Sequence, residues 1–175
     1  ACLQVAALVY GSWALSSQRP MFLVFDRGSY EIVSAADLKG KDIPDDAAAD
    51  MPVIGPKQVW AAPSDDPSLM LSVIIEGADD VFLQPDLYRP IEMAIPTMKK
   101  SGHLVTDKYL SEHSEVAEAL AEALTATGMT IADVSDKRLY QINGFVSGRS
   151  ALAYPETAEL IVILDARVTW IRPGP

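Results

Sequence analysis

Residues 21–33 read MFLVFDRGSYEIV, and they indicate the fold class of this chain most directly. The apolar run 21–25 and the β-favouring run 30–33 lie on either side of Asp26-Arg27-Gly28-Ser29, which has the chemistry of a tight turn. Two such runs around a short turn are typical of a β-hairpin. The sequence therefore predicts an antiparallel sheet that includes this hairpin.

Three later stretches favour β-strands. We expect residues 57–61 to form a short strand, and the β-rich stretches 138–146 and 160–170 to form the last two. Turn-forming residues lie between or beside these two stretches: Asn143, Gly144, Gly148 and Pro155. The antiparallel sheet is expected to include all three.

The clearest predicted helix spans residues 111–127. Val116, Leu120 and Leu124 recur at four-residue spacing, and Gly128 follows as a stop signal. This spacing gives the helix one apolar stripe. We expect that stripe to pack on the sheet.

A second helix is predicted between two irregular stretches. Residues 39–56 are rich in Gly, Pro, Asp and Ala, and we expect a long surface excursion there. Asp66 is a suitable cap for a helix with Pro67 at its first position and Gly77 just past its end. Residues 79–96 contain three prolines and are expected to be irregular.

Residues 1–15 (ACLQVAALVYGSWAL) carry no charged side chain. As a helix they would be about 22 Å long, short of the roughly 30 Å of a bilayer core. If the chain is a fragment or processed product and these residues are the end of a longer membrane helix, Ala7 and Gly11 are candidate membrane-helix contacts at small-xxx-small spacing. The alternative is a buried helix of a soluble domain, which this length by itself favours. The predicted fold class is α+β: an antiparallel sheet with two or three packed helices, preceded by this N-terminal apolar helix.

The charge balance argues against a nucleic-acid partner. The chain has 24 acidic and 14 basic residues and a formal net charge of −10. A phosphate backbone would be repelled by such a surface. The single cysteine, Cys2, leaves no intramolecular disulfide and no cysteine-based zinc site.

The sequence contains no recognisable catalytic or cofactor-binding motif. Residues 144–148 (GFVSG) place serine one position late for a nucleophile elbow, so we interpret them as a turn. His103 and His113 are ten positions apart and have no metal-ligand pattern around them. We therefore expect no catalytic residue, no cofactor, no metal and no enzymatic activity. The alternative is a hydrolase whose site is assembled from scattered residues.

Four apolar side chains are the candidate partner-binding residues: Trp60, Phe82, Leu87 and Tyr88. The last three lie in the proline-rich stretch 79–96, and aromatic residues in irregular segments often anchor interfaces. The alternative is that these side chains fill the core.

Several segments resemble the type IV pilin accessory proteins of the TfpX/TfpZ family, which are small bacterial inner-membrane proteins. The resemblance is strongest through residues 19–38 and covers most of the chain, with 98–137 the weakest part. The matching segments are LQVAALVYG (3–11), RPMFLVFD (19–26), SYEIVSAADL (29–38), residues 55–63, QPDLYRP (84–90), Gly148-Arg149 and residues 151–166.

The resemblance implies a domain division, a location and a partner. Residues 1–17 would be the C-terminal part of a transmembrane helix, and residues 18–175 a single soluble domain in the periplasm, anchored in the inner membrane. Residues 151–166 would form a closing β-hairpin. The partner would be the major type IV pilin, together with other inner-membrane components of pilus assembly.

The implied function is non-enzymatic: an accessory, chaperone-like factor that promotes pilin stability or assembly, or opposes pilus retraction. A membrane-tethered periplasmic sensor or ligand-binding domain is the alternative, because it would have the same order of helix and α+β domain. A deep apolar pocket with a few convergent polar groups would favour that alternative.

Overall fold

The computed structural model of the chain describes residues 18–40, 55–62, 80–143 and 149–164, together with positions 4, 10–12, 14, 52 and 68. It is a mixed α and β structure with an antiparallel-rich sheet and few helices. Two compact units make up the chain. The first comprises Ala1–Val24 and Glu31–Pro90, and the second comprises Phe25–Tyr30 and Ile91–Pro175.

The predicted hairpin is confirmed. Strand β1 is Pro20–Asp26 and strand β2 is Ser29–Ser34. Arg27 and Gly28 join them with φ angles of 46° and 98°, and positive φ at both central positions is typical of a type I′ turn. The five residues 21–25 are all buried, which explains why they are apolar without alternation.

Strands β3 and β4 complete the sheet of the first unit. The predicted strand 57–61 is confirmed as β3 (Lys57–Ala61), and β4 is Tyr88–Pro90. The two pair antiparallel, and the strand order of this unit is β4-β3-β1-β2. Its core consists of apolar side chains from these elements and their connections: Met21, Phe22, Val24, Val33, Leu38, Val59, Ala61 and Val81.

The proline-rich stretch 79–96 is irregular over most of its length, as predicted. It contains short 3-10 turns at Val81–Leu83, Pro85–Leu87 and Ile91–Ala94. Strand β4 within it was not predicted, because its regular backbone depends on pairing with the distant β3.

The second unit combines the remaining strands with three short or medium helices. The strands are β5 (His103–Leu104), β6 (Arg138–Asn143), β7 (Arg149–Ala153) and β8 (Leu160–Leu164). The helices are α1 (Ile95–Met98), α2 (Asp107–Glu112) and α3 (Ser114–Thr127), followed by a 3-10 turn at Ile131–Val134. The strand order is β2-β6-β7-β8, with β5 also on β6.

Helix α3 confirms the predicted apolar stripe. Val116, Leu120 and Leu124 are buried in one core cluster with Leu139, Leu152 and Leu164 of the sheet. Gly128 ends the helix in the left-handed conformation, with φ of 73°. The helix therefore packs on the sheet as expected.

The predicted start of this helix was wrong. The helical hydrogen-bond pattern is interrupted at His113, and residues 111 and 112 belong to α2. The side chain of Thr106 accepts a hydrogen bond from the Tyr109 N–H, which starts α2 before the predicted helix begins. His113 then has non-helical angles, φ −132° and ψ 70°, so the chain changes direction before α3.

The last two predicted strands are confirmed where the structure describes them, over 138–143 and 160–164. Strand β7 lies between them and pairs antiparallel with both. Its pairing with β8 gives the closing hairpin that the family resemblance implies. The predicted turn at 144–148, the helix at 66–76 apart from the helical Ser68, and most of the excursion at 39–56 lie outside the described residues.

Near the N-terminus, the described positions 4, 10–12 and 14 have helical backbone conformation. Among the residues that the structure describes, no helix has both the length and the apolar character needed to cross a membrane. Ala7 lies outside the described residues, and a Cβ on Gly11 would meet no atom within 4 Å. The expected membrane helix and the division at residue 17 remain predictions.

Candidate interaction surface

The four candidate partner-binding residues all lie in the first unit. Trp60 is on β3, where its backbone is opposite Arg89, and Tyr88 is on β4 opposite Ala61. Phe82 and Leu87 belong to the two 3-10 turns that lead into β4. We call Phe82, Leu87 and Tyr88 the β3–β4 patch. Trp60 is not part of it: its neighbours on β3, Val59 and Ala61, face the core on the same side as Tyr88, so the Trp60 side chain lies on the opposite face of the sheet.

Tyr88 is the best-anchored member of the β3–β4 patch. Its hydroxyl donates a hydrogen bond to the backbone carbonyl of Phe82 at 2.6 Å. Its ring meets that of Phe22 edge to face, with centroids 5.1 Å apart. Because both ends of the side chain are held, the 3-10 turns are fixed to the sheet through Tyr88.

The hydroxyl of Tyr88 is held in its neutral form. Burial raises the pKa of the Tyr88 phenol well above its usual range, and the carboxylates of Asp37 and Asp86 raise it further. The neutral phenol remains a hydrogen-bond donor, which the contact with the Phe82 carbonyl requires. The hydrogen bond from the Tyr88 hydroxyl to the Phe82 carbonyl therefore persists throughout the physiological pH range.

The patch is partly core and partly surface. Phe82, Leu87 and Tyr88 pack against the core of the first unit, yet each is only half-buried, as is Trp60. The alternative that these side chains fill the core thus accounts for one side of each of these three residues. The remaining area of these three side chains is available to a partner, and aromatic side chains are well suited to such contacts because they bury large area with few rotatable bonds.

Polar groups border the β3–β4 patch. Asp86 and Arg89 are exposed. The guanidinium of Arg89 donates to the carbonyls of Asp86 at 2.9 Å and Tyr88 at 2.8 Å. An apolar centre with a polar rim is the usual composition of a protein-binding surface.

The two histidines lie together in the second unit, although they are ten positions apart in the sequence and no motif relates them. The His103 ring stacks on Tyr109, with centroids 5.2 Å apart, and Tyr109 stacks on His113 at 4.3 Å. The four-residue spacing of Tyr109 and His113 was the available sequence signal. Within the described parts of the chain, no group of three or more His, Cys, Asp or Glu side chains is placed to hold a metal ion.

No model of a known protein family matches this chain, and no curated protein or solved structure matches it. The segments that carry the family resemblance and the geometry of the β3–β4 patch are therefore the observations from which a function is proposed.

Proposed function

We propose that this protein is an accessory, chaperone-like factor of type IV pilus biogenesis that acts on the major pilin without covalent chemistry. The proposal is supported by the segments that resemble the TfpX/TfpZ family and by where they lie in the fold. Residues 19–26, 29–38, 55–63 and 84–90 contain β1, β2, β3 and β4, the four neighbouring strands of one compact unit. Segments that are scattered in the sequence thus form one contiguous sheet.

In this proposal the β3–β4 patch is the contact for the globular part of the pilin. Half-buried aromatic side chains supply apolar contact area, and their anchoring lowers the entropy lost on binding. Tyr88 is already fixed by the Phe82 carbonyl and the Phe22 ring. The exposed groups at the rim, Asp86 and Arg89, would set orientation more than affinity.

The N-terminal apolar residues provide the second contact in this proposal. They would form the end of a membrane helix in the bacterial inner membrane, with the rest of the chain in the periplasm. Ala7 and Gly11 would allow close approach of the apolar helix of a pilin subunit, because small side chains let helix backbones come near each other. Both parts of a pilin, its membrane helix and its head, would then be held until the subunit enters the fibre.

Site-specific photocrosslinking in native membranes tests the proposal. The photoreactive residue replaces Asp86 of the full-length protein, because Asp86 is exposed and adjoins Leu87. Tyr88 itself is a poor position, since its replacement removes the hydrogen bond to Phe82. Glu122, an exposed acidic residue on α3 of the second unit, is the matched control position.

We expect pilin adducts from position 86 and none from position 122, identified by mass spectrometry. A correctly inserted protein that gives no pilin adduct from position 86 would contradict the proposed surface. Adducts with other membrane proteins alone would favour the alternative of a membrane-tethered sensor.

A pair of substitutions separates the β3–β4 patch from general apolar exposure. Leu87→Ala is expected to reduce the pilin adduct from position 86, since it removes an apolar side chain of the patch next to that position. Ile163→Ala removes a side chain that is 50% exposed on β8 of the second unit, and it should leave the adduct unchanged. Equal effects of both substitutions would argue against a localised surface.

A further inference from the structure

Three aromatic rings stack face to face in the second unit, and we call them the His–Tyr–His stack: His103, Tyr109 and His113. The interplanar angles are 17° for the first pair and 21° for the second. Tyr109 therefore stacks with two imidazole rings. This arrangement brings two titratable rings to one side chain of a short helix.

The stack connects three elements. His103 is on β5, paired opposite Leu139 of β6, and Tyr109 is on α2. His113 is the residue at which α2 ends and α3 begins, and its Nδ1 lies 3.0 Å from the carbonyl of Tyr109. The packing of α2 against β5 thus involves the His103 and Tyr109 rings directly.

Positive or titratable groups act on His103 from the neighbouring elements. The guanidinium of Arg138 on β6 donates to the carbonyls of Ser101 and Gly102, each at 3.2 Å, directly before His103 in the chain. His113 acts from the junction of α2 and α3. On α2, the carboxylate of Glu112 lies 4.0 Å from Lys108, and both side chains are largely exposed. Asp107 on α2 and Glu115 on α3 are exposed as well.

The environment of His103 disfavours its protonated form. Burial lowers the pKa of the His103 imidazole below its usual 6.5, and the charges of His113 and Arg138 lower it further. A cation against the Tyr109 ring would recover part of this energy. Burial also raises the pKa of the Tyr109 phenol, so the central ring stays neutral.

We propose that the His–Tyr–His stack is a proton-operated latch, in which protonation of His103 releases α2 from β5. A histidine whose pKa is lower in the folded state contributes stability above its unfolded pKa and loses it as the pH falls through the folded value. The latch is therefore closed above about pH 6.5 and opens on acidification. This inference is independent of the proposed contact with pilin, since every group in it belongs to the second unit.

Hydrogen exchange on the full chain tests the latch. Protection factors of the α2 amides, corrected for intrinsic exchange rates, are compared at about pH 7.5 and about pH 5.5, on either side of the usual histidine pKa. We expect α2 to lose protection at the lower pH while β7, which lies outside the stack, keeps its protection. His103→Phe retains a stacking ring but cannot be protonated, so its α2 should show the same protection at both values.

A titration of the imidazole resonances provides the second test. His113→Gln removes one of the like charges that act on His103, so we expect the pKa of His103 to rise towards its unfolded value and the loss of α2 protection at about pH 5.5 to become smaller. This variant keeps the inference testable if His103→Phe does not fold. Equal α2 protection at both pH values in the unsubstituted chain would overturn the latch. An unchanged pH dependence in His103→Phe would also overturn it, as would an undiminished loss of α2 protection in His113→Gln.

Discussion

The phenol of Tyr140 donates a hydrogen bond to the backbone carbonyl of Met98 at 2.9 Å, although the two residues are 42 positions apart. Both side chains are fully buried. The Tyr140 ring also meets the rings of Phe25 and Tyr30 edge to face, at centroid distances of 5.6 and 5.9 Å. This one side chain therefore ties β6 to α1 and to the tip of the β1–β2 hairpin.

We predict that Tyr140→Phe destabilises the protein by about 1 kcal/mol, the usual cost of losing one buried hydrogen bond. The ring contacts remain, and the Met98 carbonyl keeps its longer hydrogen bond from the Ser101 N–H at 3.3 Å, so a larger loss is not expected. Urea denaturation measures the change. Tyr154→Phe is the control, because it leaves the ring under the Lys137 ammonium; equal losses in both variants would contradict the role of the Met98 contact.

Gly102→Ala should cost about 3 kcal/mol, combining left-handed strain with overpacking. A Cβ at this position would lie 2.7 Å from the Tyr140 ring and 2.8 Å from the Leu139 carbonyl oxygen, and φ is 73°. Gly128 has the same φ of 73° but would meet no atom within 4 Å. Gly128→Ala should therefore cost only about 1 kcal/mol, from strain alone. Thermal unfolding of both variants measures the difference, and similar values would show that the close approach to Tyr140 is unimportant.

Leu120→Ala is expected to lower the free energy of unfolding by about 3 kcal/mol, because it leaves a cavity in the core. Leu120 is fully buried at the centre of the apolar stripe of α3. The neighbouring exposed position offers a control, since Glu122→Ala should change stability by less than about 0.5 kcal/mol. Equilibrium unfolding followed by circular dichroism distinguishes the two, and a small effect of Leu120→Ala would place the core elsewhere.

Arg27→Asn should stabilise the β1–β2 hairpin by about 0.5 kcal/mol, because asparagine adopts positive φ more readily and Asn-Gly favours a type I′ turn. Arg27 has φ of 46°, and its contact with Asp26 is long, at 3.9 Å, with the arginine side chain 64% exposed. Such an exposed ion pair contributes little. Arg27→Ala removes the same charge without relieving the backbone, so its melting temperature should not rise. A lower melting temperature for Arg27→Asn would show that other contacts of Arg27 dominate.

Local sequence information was sufficient for the β1–β2 hairpin, for β3 and for the buried face of α3. In each case the signal lies within a few residues: a turn between apolar runs at 26–29, or four-residue spacing from Val116 to Leu124. The start of α2 was missed because its cap, Thr106, precedes a helix too short to show periodicity.

Strands β4 and β5 depend on partners that are distant in the sequence, and β7 depends on the two strands that flank it in the chain. Strand β4 has three residues and ends in Pro90, and it pairs with β3 some 27 positions earlier through Ala61 and Tyr88. Strand β7 has the sequence RSALA, whose alanines have low strand propensity, yet it is held between β6 and β8. In these strands the pairing leaves no pattern in the sequence of the strand itself.

The candidate surface was predictable in composition but not in geometry. Aromatic side chains in a proline-rich stretch pointed to Phe82 and Tyr88, whereas the hydrogen bond from the Tyr88 hydroxyl to the Phe82 carbonyl depends on a 3-10 turn that the sequence does not specify. The His–Tyr–His stack was missed because His103 reaches Tyr109 only after β5 pairs with β6.

Residues 25–30 determine how this protein can be divided into fragments. These residues form the tip of the hairpin and belong to the second unit, while most of β1 and β2 belongs to the first. A fragment ending at Pro90 would keep β1 to β4 but separate Phe25 and Tyr30, both fully buried, from Tyr140. Two large aromatic rings would then face water. Because the second unit includes residues on both sides of the first unit's later segment, no single cut in the chain leaves each unit whole.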